Sequence, residues 1–302
     1  MNWLLFTSQK FEKFDKIEKL LSNNNGKCTI INLEDVASDT VDSSLFATLS
    51  HTSYAIFNLP NEFVNHRTIL FVLGYVIGKG VPVFVSNSIL KSEFVLDSVN
   101  IENVIEFSDF KNLENLLNQN LPIYVENEEK KKAMKVLFEK GIPFNPDCFS
   151  FQIAKNNLEI CELFVKAGMD VNERDSAGTP FLCDAARNGK KDMVQWLLEK
   201  GAEIDAVSQD RGYSAVMDAV WKSNKEIVEL LVCKGANLNF VSRDGQTALI
   251  LATGSGNFDI CRILAENGAD PTIKDRMGMS SIDYATLFKK EDILNIYKEF
   301  KK

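Results

Sequence analysis

Acid-base or metal chemistry in this chain has few residues to draw on, because its 302 residues include only two histidines, His51 and His66. His51 closes a helical pattern and reads as a surface or capping residue. His66 ends the polar run "PNEFVNH" and is the plausible general base, although no orienting carboxylate stands beside it. Glu62 is the other group that could reach the same place. The stretch "NLEDVASDTVD" holds Glu34, Asp35, Asp39 and Asp42 without the ligand spacing or Gly turn of a calcium loop, so it reads as a solvated surface loop. The six cysteines, Cys28, Cys148, Cys161, Cys183, Cys233 and Cys261, form no C-x-x-C pair. No metal centre and no cofactor are expected, and the thiols read as reduced and mostly buried.

The elements that would position these residues fall into two halves. Over residues 1–126, "WLLFT", "CTIINLE", "SYAIFNL", "VPVFVSN" and "NVIEFS" read as strands. Between them, helical patterns run over Phe11–Asn23, Ser43–His51, Arg67–Lys79, Lys91–Asp97 and Phe110–Gln119. Apolar strands alternating with helices predict a five-stranded parallel sheet covered on both faces, a flavodoxin-like α/β domain. Ligands of such sheets sit beyond the carboxyl ends of the strands where the strand order reverses. That crevice would be lined by Ser8, Gln9, Asn58, Asn61, Glu62 and His66. "TSQKF" is neither a dinucleotide fingerprint nor a P-loop, which argues against ordinary dinucleotide or nucleoside triphosphate binding.

The third strand, the polar loop and "LGYVIGKGVPVFV" are similar to the nucleoside 2-deoxyribosyltransferase family, through Gly74, Tyr75, Gly78, Lys79, Pro82 and Val83. The resemblance implies a Glu nucleophile two residues before the Gly-Tyr pair, and that position here is Val72. An aliphatic side chain neither attacks nor accepts a proton, so an inactive relative is expected, one that still holds a nucleotide-like small molecule or acts as a platform. The alternative is a nucleoside or nucleotide hydrolase or transferase whose carboxylate comes from elsewhere.

The second half is periodic. Gly141, Gly168, Gly201, Gly235 and Gly268 each close a helical pattern, and Gly178, Gly212, Gly245 and Gly278 open a unit every 33 or 34 residues. Each opening Gly precedes a Ser or Thr able to cap a short helix, then a second apolar-periodic helix that the closing Gly ends. "GTPFLCDAARNGKKDMVQWLLEKGAEIDA" carries the pattern best, and it resembles the ankyrin repeat. Four units begin near Cys148, Ser176, Arg211 and Gly245, with a capping unit from Arg276. Where that family has a His, this chain has Cys183, Met217, Ile250 and Asp283, so packing is expected to replace its hydrogen bonds. Residues 127–147, with the helix "EEKKKAMKVLFEKG", read as a linking or capping segment before repeats over 148–302.

The resemblance implies a protein partner on the concave first-helix face and the hairpin tips. By register that surface holds Arg187, Arg211, Tyr213, Asp218, Trp221, Lys222, Arg243, Gln246 and Arg276, with Leu251 and Ser255 further along. Tyr213 and Trp221 occupy slots that need not be aromatic, and aromatics ringed by Arg are the usual anchors of interfaces. Nucleic acid is not an expected partner: the net charge is −8, with 9 Lys/Arg against 15 Asp/Glu in residues 1–126. The N-terminal stretch lacks the basic region and cleavage site of a leader, and no apolar run reaches membrane-spanning length, so a cytoplasmic protein is expected.

Overall fold

The structure, a computed structural model, describes residues 1–8, 14–37, 43–60, 63, 66–86 and 103–300. It divides into two compact units, Met1–Glu129 and Lys130–Lys302. The first contains, in chain order, β1 (Asn2–Thr7), α1 (Asp15–Asn23), β2 (Lys27–Asn32), α2 (Leu33–Ala37), α3 (Ser43–Ser50), β3 (Tyr54–Asn58), α4 (Arg67–Gly78), β4 (Val83–Ser86) and β5 (Val104–Phe107). The strands pair in parallel in the order β2-β1-β3-β4-β5.

Alternation along each strand sorts its side chains to two cores. Leu4, Phe6, Ala55, Phe57, Val83 and Val85 pack with Ile69, Val72, Leu73 and Val76 of α4. Trp3, Leu5, Tyr54, Ile56 and Phe84 pack with Ile17 and Leu21 of α1 on the opposite face. The Gly-Lys-Gly break after α4 has a use of its own. Lys79 Nζ donates to the carbonyls of Leu49 (2.9 Å) and Ser50 (2.8 Å), satisfying the C-terminal end of α3.

Two expectations change in this unit. The acidic stretch is partly structured, since α2 buries Leu33 and Val36; Asp39 and Asp42 lie outside the described residues, as does the expected helix Lys91–Asp97. The two helices expected on either side of Pro122 are one, α5 (Phe110–Glu139). Proline removes a helical N–H and ordinarily breaks the run. Here Leu113, Leu117, Leu121 and Tyr124 keep one apolar face buried across it, and Ala133 and Leu137 supply the second unit's core.

The second unit continues as five helix pairs: α6 (Pro146–Ala154) with α7 (Leu158–Lys166), α8 (Phe181–Arg187) with α9 (Lys191–Glu199), α10 (Ala215–Trp221) with α11 (Lys225–Cys233), α12 (Ala248–Ser255) with α13 (Phe258–Glu266), and α14 (Ser281–Leu287) with α15 (Glu291–Glu299). Cys161, Val194, Val228 and Cys261 share a slot in the second helices and are fully buried. Cys183 is buried too, but Cys28 and Cys148 are half-buried and Cys233 is exposed, so only three of the six thiols are in the core. A side-chain ladder links the connectors. Asn172 accepts from the Glu203 N–H (2.8 Å), Asp205 from Asn237 (2.8 Å) and Asn239 from Asp270 (2.7 Å).

Capping is less uniform than the sequence suggests. Thr247 caps α12 and Ser280 forms a full capping box with Asp283. Ser214, in the equivalent place, makes no cap bond, and Pro180 stands there in α8. The slots expected to rely on packing also hydrogen-bond: the Cys183 thiol donates to the Ala206 carbonyl (3.3 Å), and Asp283 accepts from the Ser280 N–H (2.9 Å).

The hairpin tips offer a graded test. Gly245 has φ +80°, and a Cβ there would lie 2.6 Å from Arg276 N and 2.8 Å from Asp275 Cα; Gly278 has φ +74° with open space around it. Gly278→Ala is therefore expected to cost about 1–2 kcal/mol, the left-handed penalty alone. Gly245→Ala should cost roughly 2–5 kcal/mol, because backbone overlap adds to it. Equal losses in chemical denaturation would show that the tips give way freely.

Candidate functional site

At the carboxyl edge of the sheet, β1 and β3 end in Thr7 and Asn58, and Asn58 Nδ2 donates to Thr7 Oγ1 (3.4 Å). Ser86, ending β4, accepts from the Leu59 N–H (3.1 Å) and donates to the Leu59 carbonyl (3.3 Å). These groups satisfy one another. Ser8 is half-buried just past β1, whereas Gln9, Asn61 and Glu62 lie outside the described residues. His66 stands at the N-cap of α4 without a capping bond, and its Nδ1 is buried with no hydrogen-bond partner among the described residues. No group of His, Cys, Asp or Glu among the described residues could hold a metal ion.

The helical unit presents a better-defined constellation. Three expected surface residues are interior: Asp218 is wholly buried, and Tyr213 and Leu251 are 4% and 7% exposed. Asp218 sits mid-helix in α10 between neighbouring first helices, and Arg187 reaches it from α8 with a two-pronged contact, Nε to Oδ1 3.1 Å and a terminal nitrogen to Oδ2 3.2 Å. Asp210 pairs with Arg187 (3.5 Å) and Arg211 (3.6 Å), and Arg211 also approaches Asp218 (3.9 Å). Burial pushes the Asp218 carboxyl up, and the Arg187 hydrogen bonds and charge offset that only in part. For Asp210, partial burial is outweighed by the Ser208 hydroxyl, the Arg211 N–H and both guanidinium groups, which hold its carboxyl down at about 2.

Tyr213 has lost the role of an exposed anchor and gained one as support. Its hydroxyl donates to Gln246 Oε1 (2.7 Å), and its ring meets Trp221 edge-on at 6.5 Å. Arg211 lies over both rings, 4.9 Å from Tyr213 and 5.7 Å from Trp221. Trp221 itself is 54% exposed, as expected. Lys222, Arg243 and Arg276 are exposed as well, with Arg276 near Asp244 (3.8 Å). The 34-residue interval of this unit marks one extra tip residue, which carries the Asp210-Arg211 pair.

Beside Trp221 lies a groove of about 400 Å³, lined by Gln246, Ile250, Leu251, Gly254, Ser255, Tyr284 and Phe288. Leu251, expected to be exposed, is 7% exposed and forms part of its wall. Tyr284, Phe288 and Gly254 were not singled out by register. The signal lay nine residues after each opening Gly, where the series reads Arg187, Trp221, Gly254, Leu287: one absent side chain between two large ones.

A family model described as "Ankyrin repeats (3 copies)" matches residues 121–208, 150–242, 182–275 and 216–296. A Treponema pallidum protein described as ankyrin repeat-containing is 31% identical over 260 residues, 85% of each chain. That span is longer than residues 121–302, so the likeness extends into the first unit. Palmitoyltransferase Hip14 of Drosophila melanogaster is 28% identical over 52% of this chain, which amounts to 20% of that protein. Protein phosphatase 1 regulatory subunit 27 of Homo sapiens is 38% identical over 19% of this chain and 38% of its own length. No helix among the described residues is long and apolar enough to cross a membrane.

Proposed function

We propose that this chain, which belongs to the ankyrin-repeat family, acts as a protein-interaction adaptor whose partner docks on the first-helix face around Trp221 and on the neighbouring tips. The repeats support a protein-interaction role. The observation that carries the finer reading is Trp221, a large aromatic held half out of the fold by Arg211 and Tyr213 at the edge of a groove. A rigid aromatic presented in this way loses little entropy on binding. Arg243, Arg276 and Lys222 would form the polar rim.

The first unit we read as a flavodoxin-like domain without a catalytic role. Its strand order supports that reading. The likeness to nucleoside 2-deoxyribosyltransferases stays a proposal, and it is one of an inactive relative: Val72 is wholly buried against the sheet, where it can neither attack a sugar nor move a proton. The nucleotide-like ligand and the hydrolase alternative gain nothing from the described residues and form no part of the proposal.

Affinity capture with the full chain tests the face. Proteins retained by the natural chain and by Lys234→Ala, an exposed substitution on the C-cap of α11, should be lost or weakened roughly 30-fold by Trp221→Ala, the size of an interface anchor. Undiminished capture by Trp221→Ala would remove this face from the proposal.

A further inference from the structure

Resting on that reading, we infer that the groove at Gly254 takes one bulky apolar side chain of a partner peptide whose adjacent residues are Asp or Glu. The hollow exists because α12 carries Gly254 where α10 has Trp221 and α14 has Leu287, and a Cβ at Gly254 would meet nothing within 4 Å. Leu251, Tyr284, Phe288 and Trp221 give it apolar and aromatic walls, and its volume of about 400 Å³ accommodates a Leu, Phe or Trp side chain.

Charge decides what surrounds that side chain. The chain is strongly acidic overall, yet the carboxyl ends of the first helices bordering the groove are basic. Lys222 follows Trp221, Lys289 and Lys290 follow Phe288, and Lys290 Nζ lies 3.0 Å from the Cβ position of Gly256, one residue past Ser255. None of the three makes an ion pair among the described residues. The acids of the same face are engaged: Asp210 and Asp218 with Arg187 and Arg211, Asp244 with Arg276, Asp275 with the Tyr284 hydroxyl (2.6 Å), and Asp283 with Ser280. Helix carboxyl ends favour cations on their own account, which explains the lysines but not the hollow beside them. An apolar hollow bordered by uncommitted ammonium groups complements an apolar residue flanked by carboxylates.

Gly254→Leu supplies a clean probe, because it fills the hollow from an ordinary helical position and raises helix propensity. A displayed library of random short peptides is panned on the full natural chain and on Gly254→Leu, with thermal unfolding confirming that the variant is at least as stable. Peptides enriched on the natural chain should pair a bulky apolar residue with neighbouring Asp or Glu, and they should bind Gly254→Leu roughly tenfold or more weakly. Lys222→Glu combined with Lys289→Glu and Lys290→Glu should turn the enriched flanks basic. No enrichment, enrichment without acidic flanks, or equal binding to Gly254→Leu would overturn the inference. If that happens while Trp221→Ala still loses its captured proteins, the face stands and only the chemistry assigned to the groove falls.

Discussion

Arg187→Ala lowers the stability of the repeat unit by about 3–5 kcal/mol near neutral pH, because it leaves the fully buried Asp218 carboxylate without its two-pronged partner. Arg211, 3.9 Å away, adds charge but no hydrogen bond to that carboxylate. The loss depends on pH in a direction the burial sets. Asp218 already titrates above its ordinary 3.8 in the folded chain, so the folded state holds that proton more tightly than the unfolded one. Its ionised form therefore costs stability at neutral pH, and the cost is relieved as pH falls through the folded value. Removing Arg187 raises that value further, and protonated Asp218 needs no cation. Asp210 acts in the same sense, but only below pH 3.8. Its depressed pKa contributes stability that is present above 3.8 and lost as pH falls toward about 2, and part of it comes from Arg187. The deficit between Arg187→Ala and the natural chain should thus shrink between pH ~7 and pH ~4 through Asp218, measured by urea unfolding. A deficit unchanged over that range would mean that the guanidinium matters for its packed stem and not for its charge.

Phe149→Ala is expected to cost a similar ~3–5 kcal/mol through the cavity it opens. The ring is wholly buried, 4.7 Å edge-on from Phe181 in the next unit and 5.2 Å from Phe164 in its own. Each repeat touches only its neighbours, so the damage should be local. Hydrogen exchange over residues 146–166 should rise well before exchange in α10 to α13 does. Phe151→Ala, two residues on with its ring 57% exposed, should change stability by no more than about 0.5 kcal/mol. A uniform rise in exchange along the whole stack would show that the five pairs unfold as one unit and that Phe149 holds no particular junction.

The repeat architecture was legible because its punctuation is steric and local. All nine glycines of the two interleaved series adopt positive φ, a region that L side chains disfavour whatever surrounds them. The first unit was legible for a related reason, since strands buried on both faces must be apolar at every position and helices between them must carry a 3.6-residue stripe. That Val72 can neither attack nor move a proton followed from its residue type alone. The continuity of α5 could not: Pro122 argues locally for a break, and only the burial of Leu117, Leu121 and Tyr124 against the sheet outweighs it.

The site divides along the same line. Which positions belong to the first-helix face followed from the sequence period, and Trp221 emerged exposed where that period put it. Which of those side chains look outward did not follow, because the contacts join residues about one repeat apart, Arg187 to Asp218 and Tyr213 to Gln246, while Trp221 and Tyr284, two repeats apart, line one groove across Gly254. A period states what recurs every 33 residues, whereas a pairing depends on the stacking of neighbouring helices, which brings a carboxylate into contact in one unit and leaves a hollow in the next. The sequence by itself determined the repeats and the parallel sheet. Tertiary packing alone decided that Asp218 and Tyr213 are interior supports, and that the open feature of the face is the space a glycine leaves.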